Sequence, residues 1–335
     1  MKIAIDAMGG DFAPKAVLEG VSLVLPELAK DVELVLYGDE AALKSGLKEL
    51  NITDARVKTF ATSEVIGFDE QPTLAIRKKK DSSMVRAIEA VANGEADCVL
   101  SAGSTGALLT GATLIIKRLK GVKRPALATV LPTLDGCALL LDCGANTDCK
   151  SDYLVQFAIM GSAYMKSVFG LKEPRVGLLN NGTEEEKGNE LTKETHGLLK
   201  TAPVRFTGNC EARDVLSGEF DVVVCDGFDG NVVLKGTEGT AILMMSLLKQ
   251  GLMMNLRTKI GALLCKPAFK QLKKKLDYTE YGGAPLLGVN GGVIKAHGSS
   301  NGKAFRSAIL QGVKLISSNA TALLGEQIAQ LAIEE

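Results

Sequence analysis

The sequence predicts an α/β protein built on a mostly parallel but mixed sheet. Three observations predict it. Apolar residues make up 46% of the chain while aromatics make up only 4%, and there are 36 glycines and no Trp; an aliphatic, aromatic-poor, glycine-rich composition suits buried strands joined to helices by tight turns. Short aliphatic runs that end in Gly or Asp recur along the chain, each followed by ten or more residues at helical spacing, which is the alternation of βαβ units. One pair of runs departs from that alternation and reads as a hairpin, so the sheet is mixed.

In order, the runs are KIAIDAMGG (2–10), VELVLYGD (32–39), CVLSAGSTG (98–106), VGLLNNG (176–182) and VVVCDGFDG (222–230). The hairpin joins ALATVLP (126–132) to CALLLDC (137–143) through Thr133, Leu134, Asp135 and Gly136. In open α/β sheets ligands bind beyond the carboxyl ends of strands. The chemistry is therefore expected in loops 6–11, 103–106, 142–148, 180–187 and 226–231, and in a later loop, 297–301, that precedes another helical pattern. No repeat, low-complexity tract or linker divides the chain, so residues 1–335 are expected to form a single α/β catalytic domain.

Charge narrows the function. The 335 residues carry 39 basic and 39 acidic side chains, a net of zero. A nucleic-acid binder normally carries a basic surplus, so no nucleic-acid partner is expected. The longest uncharged stretch, 98–116, is interrupted by Ser101, Ser104, Thr105, Thr110, Thr113 and three glycines, and lacks the sustained apolarity of a membrane span. Asp6 falls too early for a secretion signal, so a cytoplasmic location is expected. Seven cysteines are dispersed without a CxxC pair; they are expected to be reduced and buried.

Each loop has a structural and a chemical reading. In SAGSTGA (101–107), Gly103, Ser104, Thr105 and Gly106 open a helix; they either turn and cap it or cradle an anion with backbone N–H groups and hydroxyls. In NNGTEEEKG (180–188), Thr183 and Glu186 have capping-box spacing, which predicts Lys187 in the first turn of a helix. That lysine either pairs with the neighbouring glutamates or holds an anion over the strand ends. In CDGFDGN (225–231), Asp226 and Asp229 suit caps, and the Asn231 amide can donate to a carbonyl oxygen. Asp6 and Asp11 flank a double glycine, a turn-and-cap arrangement. Asp142, Asn146 and Asp148 offer oxygens, but no His or Cys spacing accompanies them, so no metal is expected. His196 lies in a helical pattern and is expected to be exposed and without a role. His297, with Ser299, Ser300 and Asn301, suits either a helix-capping turn or substrate binding. No GxSxG occurs and no cysteine sits where its pKa would fall, which speaks against a covalent acyl-enzyme.

Residues 249–275 carry eight basic side chains and no acidic one. Leu252, Leu256, Ile260, Leu263 and Leu264 fall on one helical stripe, and Pro267 starts a second piece with Phe269, Leu272 and Leu276. A basic helical segment at about 249–276 with one apolar face is either an ordinary core or interface helix, or one that lies on an anionic bilayer through Leu256, Ile260, Leu263 and Leu264.

DAMGGD, RKKKDSSM (77–84), SAGSTGA, LLDCGANTD, LNNGTEEEKG, CDGFDGNVVLK, YGGAPLLG (281–288) and AHGSSN occur in one order across nearly the whole chain. Together they resemble the PlsX-type phosphate acyltransferases of bacterial phospholipid synthesis. The resemblance implies transfer of a fatty acyl group from acyl-[acyl carrier protein] to inorganic phosphate, a substrate rather than a cofactor, giving acyl phosphate and free carrier protein. It implies a three-layer α/β/α sandwich like that of phosphotransacetylases and isocitrate-type dehydrogenases, a homodimer, and peripheral association with the inner face of the membrane. Lys187 and Asn231 match the family's catalytic residues. On that reading Gly103, Ser104, Thr105, Gly106, Asn180, Asp226, His297, Ser299, Ser300 and Asn301 contact phosphate or substrate, and Arg77, Lys78, Lys79 and Lys80 are candidates to dock the acidic carrier. Rival readings are a phosphotransacetylase or phosphotransbutyrylase acting on acyl-CoA, an isocitrate-type dehydrogenase, and a non-catalytic membrane-surface scaffold.

Overall fold

The structure is a computed structural model that describes residues 1–276 and 282–334. Tyr281 of the YGGAPLLG motif lies outside the described residues, as do the side chains of Lys273, Lys274 and Lys275.

In chain order the elements are β1 (Lys2–Asp6), α1 (Lys15–Val24), β2 (Glu33–Gly38), α2 (Glu40–Glu49), β3 (Val57–Ala61), α3 (Pro72–Lys78), α4 (Ser83–Ala92), β4 (Cys98–Ser101), α5 (Thr105–Gly111), β5 (Ala126–Pro132), β6 (Cys137–Leu141), α6 (Ser151–Phe169), β7 (Arg175–Asn180), α7 (Glu190–Leu199), β8 (Arg205–Glu211), β9 (Val222–Val224), α8 (Gly227–Leu252), α9 (Leu256–Leu264), α10 (Lys266–Leu276), β10 (Ala284–Leu287), β11 (Gly292–Lys295), α11 (Gly302–Ser317) and α12 (Ala320–Glu334). The helices begin where polar caps stand. Asp39 accepts from the Ala42 N–H at 2.8 Å to start α2, and Ser82 accepts from Val85 to start α4. Gly170, at φ +71°, ends α6 in the left-handed conformation that glycine adopts without penalty.

One sheet holds eleven strands in the order β3-β2-β1-β4-β11-β10-β5-β6-β9-β7-β8. β3, β2, β1, β4 and β11 are parallel to one another, and so are β6, β9, β7 and β8. The predicted hairpin is present, with Pro132 opposite Cys137 and Ala128 opposite Leu141. A second reversal is β10, whose first two residues pair with Lys295 and Ile294 of β11 and whose last two pair with Leu127 and Ala126 of β5. Its four-residue length, set among glycines and beside β11 of equal length, leaves no aliphatic run long enough to announce a strand. β3 was unannounced for another reason: four of its five residues are exposed, so it carries little apolar signal.

Helices cover both faces. Ile3 and Ile5 belong to one buried cluster with α1, α6 and α11, while Ala4 between them belongs to another with α4 and α5. Leu139 and Leu141 likewise join the first cluster, while Leu140 packs with Val223 and Cys225. Successive side chains thus enter opposite layers, as the pleat requires. Five cysteines are buried as expected; Cys137 is half-buried and Cys265, at the α9–α10 junction, is exposed.

One expectation is corrected. Leu252 is not on the stripe of Leu256, Ile260, Leu263 and Leu264. It ends α8, and Asn255 starts α9 afresh with a capping box to Thr258. The four others lie together on α9 and are 74%, 54%, 70% and 76% exposed. Among the described residues no helix is long and apolar enough to cross a membrane.

Candidate functional site

The loops after β1 and β4 are bonded to each other. Asp6, buried at the end of β1, accepts from the hydroxyls of Ser83, which opens α4, and Ser101, which ends β4, each at 2.6 Å. Burial pushes the Asp6 carboxyl up, and the two hydroxyls and the Met8 N–H pull it back. The Ser101 hydroxyl in turn accepts from the Gly103 N–H at 3.0 Å. A side chain on Gly9 would stand 2.7 Å from the Gly103 nitrogen, so only glycine allows the two loops this contact. Asp6 is therefore the tie between strands and loops, more than the turn residue its spacing suggests. Ser104 caps α5 by accepting from Ala107, Thr105 is the first helical residue, and Gly106 lets Pro72 of α3 approach closely.

The loop after β11 joins the same group, since the Asp11 N–H donates to the Gly298 carbonyl at 2.8 Å. Asn301 caps α11 through the Ala304 N–H, and the Ser300 N–H donates to the His297 carbonyl. The His297 ring lies between Ser299 and Lys235, with Nδ1 2.8 Å from the Ser299 hydroxyl and Nε2 3.2 Å from the Lys235 ammonium. The Ser299 N–H also donates to Nδ1 at 3.2 Å, so a backbone donor and an ammonium face the two ring nitrogens. Burial, reinforced by the positive charge of Lys235, holds the His297 pKa below its ordinary value.

α8 links these loops to those of the second half. Its cap, Asp226, accepts from Phe228 and from the Cys149 N–H, both at 2.8 Å. Asp142, fully buried, accepts from the N–H groups of Leu127, Ala145 and Asn146 and from the Asn146 amide. Burial pushes its pKa up to about 6 against those donors. A Cβ on Gly230 would stand 1.9 Å from the Asp142 carbonyl oxygen, so the first turn of α8 lies directly on this loop. Asn231 follows, exposed, with its Cβ and Cγ 3.8 Å from where a Gly144 side chain would begin. Lys235 is four residues further, on the same helix face and about 6 Å along the axis. It pairs with Glu238 at 2.7 Å and meets His297. One turn of α8 therefore separates Asn231 from the residue that meets the loop after β11.

Lys187 differs from expectation. The Thr183 and Glu186 capping box does not form. Glu184 to Lys187 is a turn closed by the Lys187 N–H on the Glu184 carbonyl, Gly188 at φ +99° redirects the chain, and Asn189 caps α7 through Thr192. Lys187 thus lies two residues before the cap, exposed, and its ammonium makes no ion pair among the described residues. The Asn180 amide donates to the Lys187 carbonyl at 3.2 Å and so shapes this loop. β7 and β9 are neighbours in the sheet, which puts the Lys187 loop next to the loop that opens α8.

His196 is not exposed. It is buried, its Nδ1 lies 3.0 Å from the Asn209 amide oxygen, and its ring meets Phe206 edge to face. Asn209 also donates to the Glu184 carbonyl at 2.8 Å, so this pair braces the Lys187 loop. Helical spacing cannot reveal a partner on another strand. Of the basic run at 77–80, Lys79 is engaged internally by Glu70 and the Val65 carbonyl, while Arg77, Lys78 and Lys80 are exposed. Three site residues went unassigned in the sequence: Ser83, Lys235 and Lys295. Lys295 carried a usable signal, a charge that closes the aliphatic run GVIK just before a polar loop.

The sequence profile of the family described as Fatty acid synthesis protein matches residues 1–323. A phosphate acyltransferase from Caldanaerobacter subterraneus is 50% identical over 328 residues, 98% of this chain and 97% of the relative. One from Lysinibacillus sphaericus is 50% identical over 335 residues, the full length of both. Among solved structures, a phosphotransacetylase from Streptococcus pyogenes superposes with a TM-score of 0.62 at 16% identity, covering 95% of this chain and 94% of that one. That likeness establishes the predicted fold class.

Proposed function

The chain belongs to the fatty acid synthesis protein family, and from that premise we propose that it is a phosphate acyltransferase that moves a fatty acyl group from acyl-[acyl carrier protein] to inorganic phosphate. A phosphate oxygen attacks the thioester carbonyl carbon, and the tetrahedral intermediate collapses with loss of the carrier thiolate. The proton of the phosphate monohydrogen dianion ends on that thiol. Acyl phosphate and free carrier protein leave. No cofactor enters the balance.

The observation that carries this reading is the seating of Asn231 on α8, one turn from Lys235 and the His297 loop. Phosphate lies against Gly103, Ser104, Thr105, Gly106, His297, Ser299, Ser300 and Asn301, where N–H groups and hydroxyls gather. Asn231 and the exposed ammonium of Lys187 donate to the thioester oxygen as it becomes an oxyanion. Asn180 and Asp226 hold the backbone on which those two stand. The buried cysteines suit a path without an acyl-enzyme, since burial pushes the Cys143 and Cys210 thiols up to about 12.

The whole chain acts as one catalytic domain with a membrane-facing appendage. The apolar side chains of α9 stand among exposed Arg257, Lys259, Lys266 and Lys270, a combination suited to an anionic bilayer. Ile242, Leu243, Met244 and Leu247 of α8 are more than half exposed and suit a second copy of the chain, giving a homodimer. The enzyme is then cytoplasmic and peripheral to the inner face of the membrane.

The test incubates the protein with acyl-[acyl carrier protein] and phosphate and traps acyl phosphate with hydroxylamine. Phosphate-dependent hydroxamate supports the reading. Hydroxamate from acyl-CoA but not from the carrier thioester would replace the donor, and none from either would overturn the function.

A further inference from the structure

Lys295 ends β11 opposite Ser101 of β4 in register. Its side chain is only 8% exposed. Its ammonium donates to the Ala296 carbonyl and makes no ion pair among the described residues. An ammonium has three N–H groups, so two remain for another partner. A buried cation that forms no ion pair is unfavourable, and a bound anion would complete the pair.

Charges of both signs stand near it. The negative charges acting on it are Asp6 and Asp11, and the nearby positive charge is Lys235. Asp6 is occupied by the hydroxyls of Ser83 and Ser101. Lys235 is occupied by Glu238 and His297. Lys295 is thus the uncommitted positive charge of the group. It lies beneath loops 6–11, 101–106 and 297–301, which already offer the Ser104, Thr105 and Ser299 hydroxyls.

We propose that Lys295 is the phosphate-anchoring cation of this site, donating to an oxygen of inorganic phosphate and then of the acyl phosphate product. This rests on the phosphate acyltransferase reading and assigns it a residue. Lys187, exposed on the other half, is left to the thioester side. Burial pushes the Lys295 pKa down to about 8, with Asp6 and Asp11 opposing and Lys235 adding to the shift. A bound phosphate dianion favours the charged ammonium and moves that midpoint upward.

The test uses the full chain with inorganic phosphate as the probe. Lys295→Met removes the charge and leaves an apolar chain of similar length. The expected result is a phosphate KM raised about tenfold or more, a KM for the acyl donor changed by less than about twofold, and loss of the thermal stabilisation that phosphate gives the wild type. A phosphate KM and a stabilisation equal to wild type would overturn the proposal. If the variant does not fold, 15N-lysine NMR of the wild type decides: phosphate must raise the Lys295 Nζ titration midpoint, and an unmoved midpoint rejects the assignment. A wild type that forms no acyl phosphate yet passes these binding measurements would reject the enzymatic reading and leave Lys295 as an anion site.

Discussion

Lys235 and His297 meet at 3.2 Å, and that contact joins α8, which starts in one half of the sheet, to the loop after the last strand of the other. The Lys235 charge also adds to burial in holding the His297 pKa below its ordinary value. Lys235→Gln removes a positive neighbour, so the His297 pKa rises toward its ordinary value. The chain has only two histidines, which makes imidazole proton NMR a direct readout. Turnover is expected to fall about tenfold, with its acid limb displaced to higher pH as His297 protonates earlier. An unmoved His297 titration would mean the contact does not form in solution.

Asn231→Ala and Lys187→Ala are each expected to lower turnover by a factor on the order of 10² to 10³, the usual loss for one oxyanion donor. Both side chains are exposed, so the melting temperature should hardly change. Near-normal turnover in either variant removes that residue from the chemistry.

Gly230→Ala puts a methyl group where the Asp142 carbonyl oxygen stands. The helix must withdraw from loop 142–149, at an expected cost of about 1–3 kcal/mol measured by urea unfolding. Activity should fall more than stability alone explains, because Asn231 moves with the turn.

Ser83→Ala deletes one hydroxyl from Asp6 and is expected to destabilise by about 1–3 kcal/mol. The loss depends on pH. The folded-state pKa of Asp6 is raised, so ionising it lowers stability as pH climbs through that value, and the hydroxyls offset this only once the carboxylate is charged. The variant should therefore lose at least as much stability at pH 8 as at pH 5, and more if Asp6 ionises between them. Equal losses at both would show that Asp6 does not change its protonation between them.

Leu256→Glu combined with Ile260→Glu places two charges on the exposed face of α9. The wild type should float with vesicles that contain anionic lipid, and the double variant should stay in the soluble fraction with its turnover on soluble substrate intact. Flotation that ignores lipid charge and these substitutions would assign α9 another partner.

Much of this was legible in the chain itself. The five aliphatic runs and the Asp-Gly hairpin became strands because buried parallel strands need unbroken apolar character. The polar loops after them gather at the strand ends, where backbone groups stand free. What stayed hidden depends on contacts between distant segments. Nothing near His196 announces Asn209, and nothing near Lys235 announces His297. At Lys187 local pattern misled: Thr183 and Glu186 have the right spacing, but Asn189 with Gly188 before it offers a better start to α7. Asp6 looked like a turn residue because Ser83 and Ser101 reach it from 77 and 95 positions away.

Of the 26 residues of α8, only Gly227 and Gly230 are buried. In mechanical terms the helix is a cantilever, clamped at its first turn on loop 142–149 and latched again at Lys235. The remaining span, roughly 25 Å at 1.5 Å per residue, reaches α9 without a buried residue. A helix is stiff along its axis, so whatever seizes the far end, a second chain or a lipid surface, exerts leverage on the clamp. Asn231 sits between clamp and latch, where that leverage is felt.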